Sequence, residues 1–384
     1  MEFQFLSAGK IVFGIDSIKK ICAIAQQYGT NFLVISGSRT LRKSGVIDNI
    51  CEKLAENKVK YYIHDIIARE PQVEDVDTVV QLALNHQCNG IISIGGGSAI
   101  DIGKAVSGLV TNGGRIKDYL EGVGSGKIIE NDTLPFIAVP TTAGTGSEVT
   151  KNAVISSSKE GFKKSIRSEK LIPNVALVDP GLSISLPPKQ TAYSGLDALT
   201  QLIEGYVTKK ANPITDALAV YGLKKAADFL KRVYEDGRDI KAREGMALAS
   251  LLSGLVLANA GLGAVHGIGA SLGVNCGISH GLACAILLPS VIEYNSRRLP
   301  DKYVRIGRII AGDYTMEDKQ AVQYLINWLD DLYAKLNISR SLSAHGVAKE
   351  KIEAIAKGSK GSSMSGNPVD MTEEDVQEIL YALI

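Results

Sequence analysis

Asp197 and Gln201 stand four residues apart in Tyr193–Tyr206, a stretch with helical periodicity. That spacing puts both side chains on one helix face, one turn apart. His266 and His280 follow in a glycine-studded segment, and each is itself followed by glycine. The chain has only 5 histidines. A carboxylate, an amide oxygen and two imidazoles could hold a divalent metal and leave a coordination position for substrate. The same residues also have a plainer use. An Asp on a helix is often a surface charge, and a His before Gly often ends a helix.

Three turns could hold a nucleotide. In Ile94-Gly95-Gly96-Gly97-Ser98-Ala99-Ile100-Asp101 an apolar strand runs into glycines and then into a predicted helix, Ala99–Leu109. Such a turn lets a ligand approach the backbone, and the helix N-terminus behind it suits a pyrophosphate. A tight strand–helix turn with Ser98 as N-cap is the bland alternative. The glycines do not form the G-x-G-x-x-G fingerprint. The second turn is Pro140-Thr141-Thr142-Ala143-Gly144-Thr145-Gly146-Ser147-Glu148, rich in hydroxyls and again after an apolar strand. The third, Gly37-Ser38-Arg39, follows Phe32–Ser36. It lacks the acid that would hold a ribose 2′-hydroxyl and offers an arginine for a 2′-phosphate. Ligands of open α/β sheets bind at the strand ends where these turns lie.

The elements that must position these residues change type along the chain. Apolar, β-rich runs occur at Phe32–Ser36, Lys60–Ile63, Gly90–Ile94, Phe136–Val139 and Val175–Val178. Helix-period stretches, Gly45–Asn57 and Val73–His86 among them, separate the runs. This alternation predicts a parallel sheet with helices on both faces. From about Thr191 the pattern is helical, as in Thr191–Val207, Ile214–Tyr234, Ala242–Asn259 and Ala321–Leu336. Lys357–Asn367 reads as a loop by composition. The change falls near Leu186-Pro187-Pro188, where prolines interrupt regular structure. The expected plan is therefore a dinucleotide-binding α/β domain over 1–187 and an all-helical metal and substrate domain over 188–384, with a cleft between. The length of 384 residues is too great for one core and agrees with two domains.

Composition narrows the function classes. The net charge is +1, so no basic field exists for nucleic acid or an anionic membrane. The 5 cysteines are dispersed, without a C-x-x-C pair, and read as reduced thiols. The opening MEFQFLSAGKIVFG lacks the features of a signal peptide, and no apolar run approaches a membrane span. A soluble, cytoplasmic enzyme is the expectation.

Taken together, these segments resemble the iron-containing alcohol dehydrogenase family. The resemblance runs through Gly95-Gly96-Gly97-Ser98-x-x-Asp101, Pro140 to Glu148, Gly195-Leu196-Asp197-Ala198-Leu199, Val265-His266-Gly267, His280-Gly281 and Leu287-Leu288-Pro289. It continues to Gly366-Asn367-Pro368 and a short acidic helix after it. It implies a Rossmann-like parallel-sheet coenzyme domain and a helical metal domain, the dehydroquinate synthase-like fold. It also implies a nicotinamide coenzyme in the cleft, with its pyrophosphate on Gly95–Ser98. Thr141, Thr142 and Ser147 would line the coenzyme, with Asp101 and Lys163 nearby. Fe²⁺, or Zn²⁺, would be held by Asp197, His266 and His280, which would also be the catalytic set. The implied activity is NAD(P)-linked oxidation of a small neutral alcohol or polyol, or reduction of an aldehyde, in a homodimer or larger assembly.

Two positions depart from the family pattern. The usual histidine one turn after the Asp is Gln201, a weaker donor toward late first-row metals. A histidine often found four residues after His266 is Ala270. Members that prefer NAD often carry Asp where Gly37 stands, so NADP is favoured here. The departures make a metal-independent reductase like the maleylacetate reductases the nearest alternative. A dehydroquinate synthase-like lyase would need cations around a phosphorylated substrate, and Gly261–Gly273 contains no Lys or Arg.

Overall fold

The computed structural model describes residues 2–66 and 69–384. The chain divides into two compact units, Leu6–Leu186 and Pro187–Ile384, the second joined by residues 2–5.

Among its described residues the first unit has eight strands. They are β1 (Lys10–Phe13), β2 (Asn31–Ser36), β3 (Lys60–Asp65), β4 (Gly90–Gly95), β5 (Phe136–Pro140), β6 (Asn152–Ser157), β7 (Phe162–Arg167) and β8 (Val175–Val178). Six form a sheet in the order β1-β8-β5-β4-β2-β3, parallel throughout. β4 and β5 are buried along their whole length, as expected of strands covered on both faces. Alternate residues serve opposite faces. Leu33, Ile35, Ile91 and Ala138 pack with Val76, Val79, Ile102 and Val106. Phe32, Val34, Ile92, Ile94, Ile137 and Val139 pack with Ile21, Ile24, Ile47 and Leu54 on the other side.

The connection after β2 leads outward to β3, whereas the helix after β4, Gly97–Asn112, leads the other way to β5. The sheet thus switches winding direction between β2 and β4, the place where open α/β sheets bind ligands. Register aligns the exits, because Ser36 stands opposite Ile94 and Gly95 opposite Pro140. The three turns singled out by composition therefore leave neighbouring strands at one level. The antiparallel hairpin β6–β7 is an addition that the sequence reading did not anticipate.

The second unit has no strand among its described residues and is built of helices. Its first two helices start before their expected onsets, at Pro188 and Pro213. Of the prolines that looked like interruptions, Pro187 is the N-cap and Pro188 opens the helix, where, as at Pro213, the missing N–H has no helical partner in any case. Asn212 caps the second helix by accepting from the N–H groups of Ile214 and Thr215. The stretch expected to be a loop over Lys357–Asn367 is partly ordered. Its first residues finish the Ile352–Gly358 helix, and Met364–Gly366 forms a 3-10 turn. No single helix among the described residues is long and apolar enough to cross a membrane.

Candidate metal centre and coenzyme turns

Pro188–Val207 is the central helix of its unit, with every side chain from Gly195 to Val207 buried. The surface-charge reading of Asp197 is thereby excluded. Asp197, Gln201 and Glu204 lie in an apolar interior and must find partners there.

Two further helices supply them. His266 sits in the first turn of Ala264–Cys276, and His280 opens His280–Ser296 with Cys284 one turn further on. Close packing brings the second of these helices in. A Cβ on Gly281 would stand 2.4 Å from the Tyr193 carbonyl oxygen, so only glycine permits this approach to the Asp197 helix. Donor atoms of Asp197, His266, His280 and Cys284 all lie within 4.8 Å of one another. Asp197 Oδ1 is 3.4 Å from His266 Nε2 and 3.6 Å from His280 Nε2. Cys284 Sγ is 4.0 Å from His280 Nε2.

Glu204 sets the orientation of His266. Its carboxylate accepts from the Val265 backbone N–H at 2.6 Å and meets His266 Nδ1 at 2.6 Å. With Nδ1–H donated to Glu204, Nε2 presents its lone pair to the cluster, the arrangement that fixes metal-binding imidazoles. Burial works against charge on His266, but Cys284, Asp197 and Glu204 hold its pKa well above the ordinary imidazole value. Burial pushes the Asp197 carboxyl up, and His280 and His266 outweigh it, so the net shift is downward. Cys284 behaves likewise, with burial raising the thiol and the two imidazoles carrying it below its usual value. The shifts thus pair a cationic His266 with anionic Asp197 and Cys284, negative charge that a metal cation in place of the imidazole proton would also satisfy.

The residues fit a cation on a second ground. Asp197 Oδ1 and His266 Nε2 are buried without a hydrogen-bond partner among the described residues, which is costly unless another group engages them. Gln201, expected as an amide ligand, is turned elsewhere. Its NH₂ donates to Asp197 Oδ2 at 3.4 Å, and its oxygen accepts from Ser253 Oγ at 3.0 Å. Cys284, which the sequence reading did not name, lies among Asp197, His266 and His280, and the Gln201 amide stays beside Asp197. The sequence reading missed Cys284 and Glu204. The signal was present, since Cys284 stands four residues after His280 on a helix and Glu204 seven after Asp197.

In the sheet unit, Gly96 is the N-cap of Gly97–Asn112. Ser98 lies inside the first turn, so the expectation of a Ser98 cap is corrected. The turns after β4 and β5 touch. A Cβ on Gly96 would be 3.3 Å from the Thr142 side chain, and one on Gly97 2.9 Å from Thr145 Oγ1. Gly95 and Gly37 meet even more closely, since a Cβ on either would come within 2.7 Å of Ala99 Cβ. The missing acid at position 37 thus has a packing cause of its own. Ser38 caps Arg39–Lys43 through the Leu41 N–H, and Arg39 is exposed at the start of that helix.

Asp101, Ser147 and Lys163 turn out to be engaged with the protein itself. Asp101 accepts from Ser147 Oγ and from the Val154 N–H. Lys104, which the sequence reading passed over, is fully buried. It donates to Ser147 Oγ, Thr150 Oγ1 and the Asn152 carbonyl at 2.7–2.8 Å. This network pins the β5 turn to the Gly97–Asn112 helix. Lys163 pairs with Glu70. Thr141 is buried, while Thr142 stays partly accessible beside Gly96.

Parallel strands with glycine turns at their switch point, followed by a helical unit holding buried carboxylate, imidazole and thiol groups, have the plan of a nicotinamide-linked dehydrogenase. Comparison with known proteins makes this particular. Residues 8–180 match the model described as iron-containing alcohol dehydrogenase, and residues 191–384 the model of that family's C-terminal part. The chain is 35% identical over 366 residues to a choline dehydrogenase of Bacillus subtilis (strain 168), covering 95% of this chain and 90% of that protein. It is 32% identical over 371 residues to an NAD-dependent methanol dehydrogenase of Bacillus methanolicus, covering 96% of each. A crystal structure of a 1,3-propanediol oxidoreductase superposes with a TM-score of 0.95 over 100% of both chains at 31% identity. The chain belongs to the iron-containing alcohol dehydrogenase family and is an oxidoreductase acting on CH–OH groups.

Proposed function

We propose that this chain is a metal-dependent, NAD(P)-linked dehydrogenase of small neutral alcohols or polyols, and in reverse a reductase of the corresponding aldehydes. The observation that carries the reading is the buried cluster in which Asp197 Oδ1 and His266 Nε2, 3.4 Å apart, have no hydrogen-bond partner among the described residues. Asp197, His266 and His280 would hold the divalent ion. When bound, the ion supplies Lewis-acid stabilisation of alcohol oxygen, and the nicotinamide accepts the hydride.

The chain's own residues do the positioning. Glu204 keeps the proton of His266 on Nδ1. Asp197 provides negative charge in a low-dielectric interior, where its effect on a cation is greatest. Gly95, Gly96 and Gly97 let a pyrophosphate reach the backbone at the start of Gly97–Asn112, with Ser98, Thr141 and Thr142 beside it. Asp101, Ser147 and Lys104 keep the neighbouring turn rigid. We assign NADP as the preferred coenzyme. With Gly37 explained by packing, that preference rests on the exposed Arg39, which is free of the carboxylate that would repel a 2′-phosphate. The unpaired state of all five cysteines supports a cytoplasmic location, and a homodimer or larger homo-oligomer is the expected assembly.

Elemental analysis of freshly purified protein, with an absorbance screen of alcohols and aldehydes against NAD and NADP, tests the reading. We expect a stoichiometric divalent ion, loss of turnover on chelation and a higher kcat/KM with NADP. Full turnover by rigorously metal-free protein would refute it.

A further inference from the structure

Cys284 is fully buried, yet its thiol does not face an apolar neighbour alone. It stands 4.0 Å from His280 Nε2, in the same group as Asp197 and His266. Gln201, the residue one turn after Asp197, points its oxygen at Ser253 and its NH₂ at Asp197. A tetrahedral ion with ligand distances of ~2.0–2.3 Å has edges of ~3.3–3.8 Å between its ligand atoms. Of the six edges here, two fall in that range, 3.4 Å (His266 to Asp197) and 3.6 Å (His280 to Asp197); Cys284 to His280 is 4.0 Å, and all six are within 4.8 Å. Independently, the ligand atoms Asp197 Oδ1 and His266 Nε2 are buried without a hydrogen-bond partner among the described residues, and each belongs to that same group.

We propose that Cys284, not Gln201, is the fourth protein ligand, giving an Asp–His–His–Cys site. The inference rests on the metal-dependent reading above. His280–Ser296 is a helix, and its His280 and Cys284 project from one face one turn apart. Two of the four ligands therefore come from a single rigid element. The thiolate replaces a neutral donor with an anionic, soft one. With Asp197 the ligand set carries two negative charges, which neutralise a divalent ion. Softness selects zinc or cobalt over magnesium or manganese, which prefer oxygen ligands. It also makes the ion's retention depend on the redox state of one cysteine, because only the thiolate ligates.

The test loads the full chain with cobalt(II) and reads two properties apart from activity. A sulfur-to-cobalt charge-transfer band in the near ultraviolet is expected in the wild type. X-ray absorption of the zinc form should show one sulfur at ~2.3 Å. Both need no variant. Cys284→Ser should lose the band and weaken zinc by more than the ~10–100-fold that follows loss of an outer partner. Gln201→Ala should keep the band. Stoichiometric cobalt without the band, but requiring Asp197 and His266, would overturn the thiolate ligand and leave the metal site standing. A wild type that binds no ion would overturn both.

Discussion

Glu204 is the side chain whose replacement tests the geometry of the centre most directly. Its two carboxylate oxygens each meet one donor, the Val265 N–H and His266 Nδ1–H, both at 2.6 Å. Glu204→Gln keeps the shape but has only one acceptor. If the amide oxygen takes the Val265 N–H, the NH₂ group faces His266 Nδ1 and drives the ring proton to Nε2, the nitrogen that must stay bare to bind an ion. If the oxygen takes His266, two N–H groups confront each other beside Val265. A buried donor left without an acceptor costs about 1–3 kcal/mol. Loss of a carboxylate behind a ligating histidine typically weakens metal binding ~10–100-fold, which is about 1.4–2.7 kcal/mol. The two routes to the number agree. Zinc affinity measured by competition with a chromophoric chelator should fall by that factor. Thermal unfolding of the chelated protein separates the structural share from the share felt only with ion bound. Unchanged zinc affinity in Glu204→Gln would show that His266 does not use Nε2 toward an ion, and the argument for the centre would fail with it.

Two other perturbations follow from particular contacts. Gly281→Ala places a Cβ where the Tyr193 carbonyl oxygen already stands at 2.4 Å. Relief requires the His280 helix to withdraw by ~1 Å from the Asp197 helix, against the ~0.2 Å tolerance of a metal site. More than tenfold weaker zinc binding is expected, and an unaltered chelator competition curve would contradict the packing argument. Glu148 is buried, and desolvation raises its carboxyl to about 7 despite its backbone hydrogen bond and the Lys104 charge. Its folded pKa lies above the unfolded one, so the stability tied to its neutral form is complete below about pH 4.5 and is lost as pH rises through about 7. A shift of that size corresponds to roughly 3 kcal/mol. In urea denaturation Glu148→Gln should match the wild type near pH 4 and exceed it by up to about 3 kcal/mol at pH 8; curves that stay parallel across that range would refute the assignment.

The parallel sheet was legible because its buried strands are continuous apolar runs, and the helical unit because its periodicity persists. The β6–β7 hairpin was not. Phe162–Arg167 sets Lys163 beside Lys164 and Ser165 beside Ile166, so no period-2 alternation marks it as a strand. Proline misled in a different way. Its effect depends on whether it falls in a first turn, and the sequence does not mark where a helix begins.

The site was legible to the level of faces and no further. Four-residue spacing put Asp197 and Gln201 on one side of a helix, and the structure keeps them there. Spacing cannot say where a side chain turns once on that face. Ser253, fifty-two residues away in sequence, draws the Gln201 oxygen aside. Glu204, sixty-two residues from His266, decides which imidazole nitrogen is free. The same spacing rule applied to His280 would have found Cys284, whose thiol lies in one group with Asp197, His266 and His280. A ligand is therefore made by two choices, its own face and the partner its neighbours leave it, and only the first is local in sequence.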